Sequence, residues 1–111
     1  MSARRLPANA VLILASLADG DRHGYAIRKE IARRTEGQVK LGVTTLYRLL
    51  GQLLDDGLVE ESPRRPAPEL DDDRRRYCRL TPAGRRTLAT EIRRLELVLA
   101  AARPGSTRSR S

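Results

Sequence analysis

Thr44, Arg48 and Gln52 recur every four residues, so a helix would stack them along one side. Their groups are a hydroxyl, a guanidinium and a primary amide, and Thr45 adds a second hydroxyl. This set suits hydrogen bonding to base edges and phosphates. Arg48 fits a guanine edge or a phosphate, Gln52 an adenine, and the two threonines a phosphate or a thymine methyl. A second basic group, Arg74, Arg75 and Arg76, directly follows the aspartates 71 to 73. Taken alone, the first set is also what the solvated side of an ordinary amphipathic helix looks like, and the second what a charged loop looks like.

The remaining reactive side chains point away from catalysis. His23 is the sole histidine and has no evident partner, so it reads as a turn or capping residue. Cys78 is the sole cysteine, which rules out an intrachain disulfide framework and fits a reducing cytoplasm. One His and one Cys cannot build a zinc site within a chain. No glycine-rich phosphate loop and no nucleophile paired with a base appears, so neither an enzyme nor a cofactor is expected. Cys78 alternates with Leu80 in a strand-like run, which marks it as a small core residue rather than a redox switch.

The net charge of +8 favours a polyanionic partner such as nucleic acid or an anionic membrane. Five of those charges sit at the ends, on Arg4, Arg5, Arg103, Arg108 and Arg110, leaving +3 for residues 6 to 102. Twenty of the 22 basic residues are arginine. That suits bidentate contacts to phosphate and guanine, and a genomic preference for arginine codons accounts for it equally well. The opening "MSARR", followed by the apolar "AVLILASLA", imitates a secretory leader. Pro7 and Asn9 interrupt the join and the run is too short to span a bilayer, so it reads as part of the fold and no membrane partner is expected.

The elements that would position these residues follow from periodicity and punctuation. A chain of 111 residues suits one domain. Residues 7 to 18 read as a short buried helix with Pro7 at its first position. Residues 24 to 35 form a second, with Ile27 and Ile31 on its inner face and Gly37 as its C-terminal cap. Residues 43 to 56 form a third, closed by Gly57. At about 100° per residue, its Leu46, Leu49, Leu50, Leu53 and Leu54 share one side, opposite Thr44, Arg48, Gly51, Gln52 and Asp55. Residues 58 to 62 and 75 to 81 read as short strands, separated by a proline-rich loop. Thr81 and Pro82 begin a final helix whose Leu88, Ile92, Leu95, Leu99 and Ala102 follow a heptad seam. The expected architecture is mainly α with a small β-hairpin (α+β): a winged helix-turn-helix over residues 6–80, its wing at about 58–80, plus a C-terminal dimerisation helix over 81–102. Residues 1–5 and 103–111 read as a flexible start and a disordered basic tail.

In such a motif the third helix enters the major groove of double-stranded DNA with its N-terminal half facing base edges. Asp55 and Asp56 fall at the far end, where they repel phosphate least. A winged helix that binds protein or RNA instead, without operator specificity, shares this composition.

"HGYAI" (23–27), "TTLYRLLGQLLDDGLVE" (44–60) and "RRYCRLTPAG" (75–84) together resemble the PadR family of bacterial transcriptional regulators, over nearly the whole chain. The resemblance implies a homodimeric winged helix, usually a repressor, and the single helix after the wing is similar to the short subfamily. There the final helix, helped by the first, forms the dimer interface. Carried over by position, the implied DNA-binding residues are Tyr25, Thr44, Thr45, Tyr47 and Arg48, with Arg74, Arg75 and Arg76 flanking the minor groove or gripping phosphate. The two tyrosines also suit partial burial with their hydroxyls at the surface. The family often enters helix three through a Ser-Pro-Gly-like turn, whereas this chain has Gly42, Val43 and Thr44. Some family members bind aromatic effectors between aromatic walls. With no Trp and no Phe here, an effector would have to use aliphatic surface, and its identity is not encoded legibly.

Overall fold

The computed structural model describes residues 6–63 and 76–104. Arg74 and Arg75, the aspartates 71 to 73, residues 1–5 and the tail from 105 onward lie outside the described residues. The element order is α1 (Ala8–Ser16), α2 (Gly24–Arg34), α3 (Val43–Asp55), β1 (Val59–Glu61), β2 (Cys78–Leu80) and α4 (Pro82–Ala102).

Helix α1 is apolar nearly all round, and Ala10, Val11, Ile13 and Leu14 are buried against the other three helices. Pro7 is its N-cap rather than its first helical residue: its backbone is extended, and its carbonyl accepts from the Ala10 and Val11 amides. From α2 come Ile27 and Ile31, and from α3 Leu46, Leu49, Leu50 and Leu53. Leu54 departs from the expected apolar set and is 39% exposed, because it lies at the edge of the leucine arc. Burying each leucine contributes about 1.5–3 kcal/mol, so α3 is clamped chiefly by this inner face.

Both motif helices end in Schellman turns, in which an amide reaches back over the last turn to satisfy carbonyls left open by the helix end. At α3, Gly57 takes the left-handed position (φ 75°), with the Leu58 amide on the Leu53 carbonyl and the Gly57 amide on Leu54. At α2 the equivalent position is Glu36 (φ 54°) rather than the expected glycine, and Gly37 (φ 78°) follows it to place its amide 2.7 Å from the Ala32 carbonyl.

Strands β1 and β2 pair antiparallel with Val59 opposite Leu80, Glu60 opposite Arg79 and Glu61 opposite Cys78. Alternation sends Val59, Cys78 and Leu80 inward. Arg22, in the α1–α2 connection, bridges to Cys78 through two backbone hydrogen bonds of 2.9 and 3.1 Å. That bridge ties the base of the wing to the entry of α2. Thr81 then caps α4, accepting from the Gly84 amide at 3.0 Å while its hydroxyl donates to the Gly57 carbonyl at 2.6 Å.

Candidate nucleic-acid interface

The entry to α2 explains the run His-Gly-Tyr. His23 is the N-cap, and its Nδ1 accepts from the Ala26 amide at 3.2 Å. Gly24 is buried against α3: a Cβ there would overlap Tyr47 Oη and sit 2.8 Å from Cζ. The missing side chain is what lets the Tyr47 ring lie between the two helices, where it packs against the core. Tyr25 points outward and is 56% exposed, with Lys29 Nζ 5.4 Å from its ring centroid.

The α2–α3 turn is fixed by Arg28, whose Nε donates to the Leu41 carbonyl at 2.9 Å. Gly42 then starts α3 without any side-chain cap or acidic residue in the first turn. The first-turn amides are therefore left to solvent or an anion. Thr44 and Arg48 are exposed on the outward side of α3, and Thr45 and Tyr47 are half-buried on its two flanks. Gln52 is exposed one turn beyond Arg48. It lines a groove of about 430 Å³ with Leu6, Pro7, Ala10, Leu49, Leu53, Asp55 and Asp56, at the opposite end of α3 from Tyr25. Thr44 and Arg48 thus share the outward side of α3, with Tyr25 exposed at the start of α2 and Gln52 exposed one turn beyond Arg48.

Carboxylate pairing sorts the arginines. Glu30 binds Arg33 at 2.5 Å and Arg34 at 2.6 Å, and Arg34 also reaches Asp19. Hydrogen bonds from Arg33 and Arg34 hold the Glu30 carboxyl down at about 2. Arg22 meets Asp19, Arg79 meets Glu60 across the hairpin, and Arg76 meets Glu61 at 2.9 Å. Arg76 is exposed but its charge is shared with that carboxylate. Among the described residues of α2, the following turn and α3, the cations Arg28, Lys29, Lys40 and Arg48 have no carboxylate partner. Tyr25, Arg28, Lys29, Ala32, Lys40 and Leu41 line a shallow cleft of about 190 Å³ beside the start of α3. Lys40 escaped the sequence reading because nothing in its neighbourhood signals that the turn folds back onto α2.

Helix α4 divides its heptad seam in two. Leu88 packs into the chain's own core at 7% exposure. Ile92, Leu95 and Leu99, at 36–52%, stay exposed within the single chain, as does Ala102. Val98 joins their face, while Leu97 lies on the other side of the helix. Glu91, which no sequence signal marked, is buried beside them, accepting from Arg94 at 2.8 Å and from the Leu6 amide at 3.4 Å. Cys78 is buried in the sheet, and burial pushes its thiol up to about 11, with Glu61 and Asp21 adding to the shift. A thiol held protonated in this way is a poor nucleophile. Among the described residues no helix is long and apolar enough to cross a membrane, and no cluster of three His, Cys, Asp or Glu side chains could hold a metal.

The geometry has counterparts among solved structures. A transcriptional regulator from Clostridium thermocellum is 29% identical, with 80% of this chain and 83% of that one covered and a TM-score of 0.69. RosR of H. salinarum is 28% identical, with 98% and 89% covered and a TM-score of 0.68. Bacillus subtilis PadR in complex with operator DNA shares the fold at 19% identity, with 78% and 47% covered and a TM-score of 0.65. No curated protein matches the chain. The model of the transcriptional regulator PadR-like family matches residues 13–90, from the middle of α1 into the first half of α4. With a winged helix-turn-helix fold and a family match over most of its length, the chain belongs to the PadR-like family of transcriptional regulators.

Proposed function

We propose that the chain is a cytoplasmic, homodimeric repressor that reads a palindrome-like operator in double-stranded DNA through α3 and the wing. One observation carries the reading: the outward side of α3 presents Thr44 and Arg48 with no carboxylate competing for the guanidinium. Fixed against α2 by Tyr47 and Arg28, that side is a rigid donor surface of the width a major groove admits. Arg48 reads a guanine edge, Thr44 and Thr45 contact phosphate or a thymine methyl, and Tyr25 lies against the backbone. Tyr47 acts mainly by holding α3 in place. Gln52 reads a base at the margin of the site, and Arg74, Arg75 and Arg76 of the wing meet the flanking backbone.

The exposed face of Ile92, Leu95, Val98, Leu99 and Ala102 supports dimerisation, with Leu88 anchoring the helix to its own domain. Two copies related by a twofold axis would address half-sites roughly 34 Å apart. Footprinting on the DNA upstream of the coding region tests the reading, together with transcription from that template. The wild type should protect two symmetric half-sites and lower transcription. Arg48→Ala should lose about 1–3 kcal/mol of preference for operator over random duplex. Equal affinity of the wild type for both duplexes would refute operator recognition and favour an interaction module.

A further inference from the structure

Only two of the 22 basic residues are lysine, Lys29 and Lys40, and the fold brings both to the cleft between α2 and the α2–α3 turn. They are eleven positions apart in sequence, Lys29 on α2 and Lys40 in the α2–α3 turn, so no helical periodicity pairs them. Arg28, the third cation in the cleft, already has its Nε on the Leu41 carbonyl, and the two lysines supply the mobile donors. Leu41 closes the cleft and immediately precedes Gly42, the uncapped start of α3. An anion seated there would meet two ammonium groups beside the positive end of α3.

We propose that this cleft seats one DNA backbone phosphate, held by Lys29 and Lys40. The proposal rests on the DNA-binding reading above and adds residues to it. Contacts to phosphate fix register and orientation, whereas contacts to base edges specify sequence. The cleft is shallow, and the exposed lysines and Tyr25 leave it open to a strand lying across it. A base edge buried in a groove could not be reached from it while α3 occupies the same groove. Lysine suits the task because its ammonium is a compact charge on a flexible stem, able to follow a phosphate whose position varies from one duplex to another. Its chemistry is the same for a free phosphate ion, so the test must separate the two sources.

The experiment measures affinity of the full chain for operator and random duplexes across a salt series. Lys29→Ala/Lys40→Ala should weaken both duplexes by roughly tenfold at low salt, with the operator-to-random ratio unchanged. The slope of log affinity against log salt should fall in magnitude by about 0.9, the value for one phosphate. Lys29→Arg/Lys40→Arg should keep the wild-type slope. Both positions are exposed, so both variants should unfold at the wild-type denaturant midpoint. A wild-type slope for the alanine pair would overturn the proposal while leaving DNA binding intact. Failure of the wild type to bind any duplex would instead overturn the reading beneath it. Inorganic phosphate, titrated at constant ionic strength, should leave duplex affinity unchanged. Saturable displacement by it, lost in the alanine pair, would reassign the cleft to a free phosphate ion.

Discussion

Gly84→Ala should destabilise the protein, against the usual benefit of replacing a helical glycine. Gly84 is in the first turn of α4, where its amide bonds to the capping hydroxyl of Thr81. A Cβ added there would overlap the Leu58 carbonyl oxygen, lie 3.0 Å from the carbonyl carbon and 3.3 Å from Leu80 Cδ2. The obstacle is backbone, so no rotamer change relieves it, and the start of α4 must move away from the α3–β1 junction. Such overpacking costs about 1–3 kcal/mol. The same movement stretches the Thr81 amide from the Leu58 carbonyl (3.1 Å) and the Thr81 hydroxyl from the Gly57 carbonyl (2.6 Å). Those bonds contribute about 1 kcal/mol each. Against this, alanine gains at most about 1 kcal/mol of helix propensity over glycine. The balance is a loss of about 2–4 kcal/mol, or roughly 10–20 °C in Tm for a domain of this size. Gly51→Ala is the control: this glycine is inside α3, and a Cβ there would meet nothing within 4 Å, so the change should stabilise by about 0.5–1 kcal/mol. Urea melts of both variants at one protein concentration, followed by circular dichroism, make the comparison. Equal stabilisation by both alanines would refute the close-approach argument.

Two further outcomes follow from the ion pairs and the apolar face. Glu30 has a carboxyl depressed to about 2, so its contribution to stability is present above the ordinary value of 4.5 and is lost as pH falls through about 2. The gap in urea midpoint between wild type and Glu30→Gln should therefore be constant from neutral pH to about 4.5 and close towards pH 2; a gap independent of pH would contradict the pairing. Leu95→Arg/Leu99→Arg should give the monomer mass by sedimentation equilibrium with an unchanged far-ultraviolet spectrum per residue, because neither leucine belongs to the core of the single chain. An intact dimer would place the interface elsewhere.

Much of this fold is legible because its signals are local. The α3 leucines share one helical side, Thr81-Pro82 carries its own cap, and Cys78 and Leu80 alternate as a half-buried strand must. Even the role of His23 as a capping residue needs only its own turn. What escapes the sequence is decided between elements. Gly24 and Gly84 look like helix-start glycines of ordinary kind, yet each marks a place where another element arrives too closely for a Cβ. The 20 arginines are indistinguishable by type, and only the fold shows which of them Glu30, Glu60, Glu61 and Glu91 engage. Leu88 and Leu95 occupy equivalent heptad positions, but the first packs into the chain's own core and the second is left exposed, which no periodicity can tell. Gln52 shares the spacing of Thr44 and Arg48, and because a repeat of four drifts by about 40° per step around a helix of 3.6 residues per turn, it lies about 80° from Thr44 at the edge of their face.

The joint at Gly57, Leu58, Thr81 and Gly84 links the two halves of the proposed function. Gly57 terminates α3 and Leu58 leads into the wing, while Thr81 and Gly84 begin the helix that would hold the partner. All four meet within one hydrogen-bonded knot, so the angle of α4 relative to α3 is set there and not along a flexible linker. In a dimer built on the outer half of α4, that angle fixes the separation of the two α3 helices, and a change of a few degrees would shift them relative to half-sites about 34 Å apart. Gly84→Ala therefore has a second readout beyond stability. At temperatures where the variant is still folded, it should lose affinity for a symmetric two-half-site operator more than for a single half-site. Equal loss on both would mean that the joint holds the domain together without setting the spacing of the dimer.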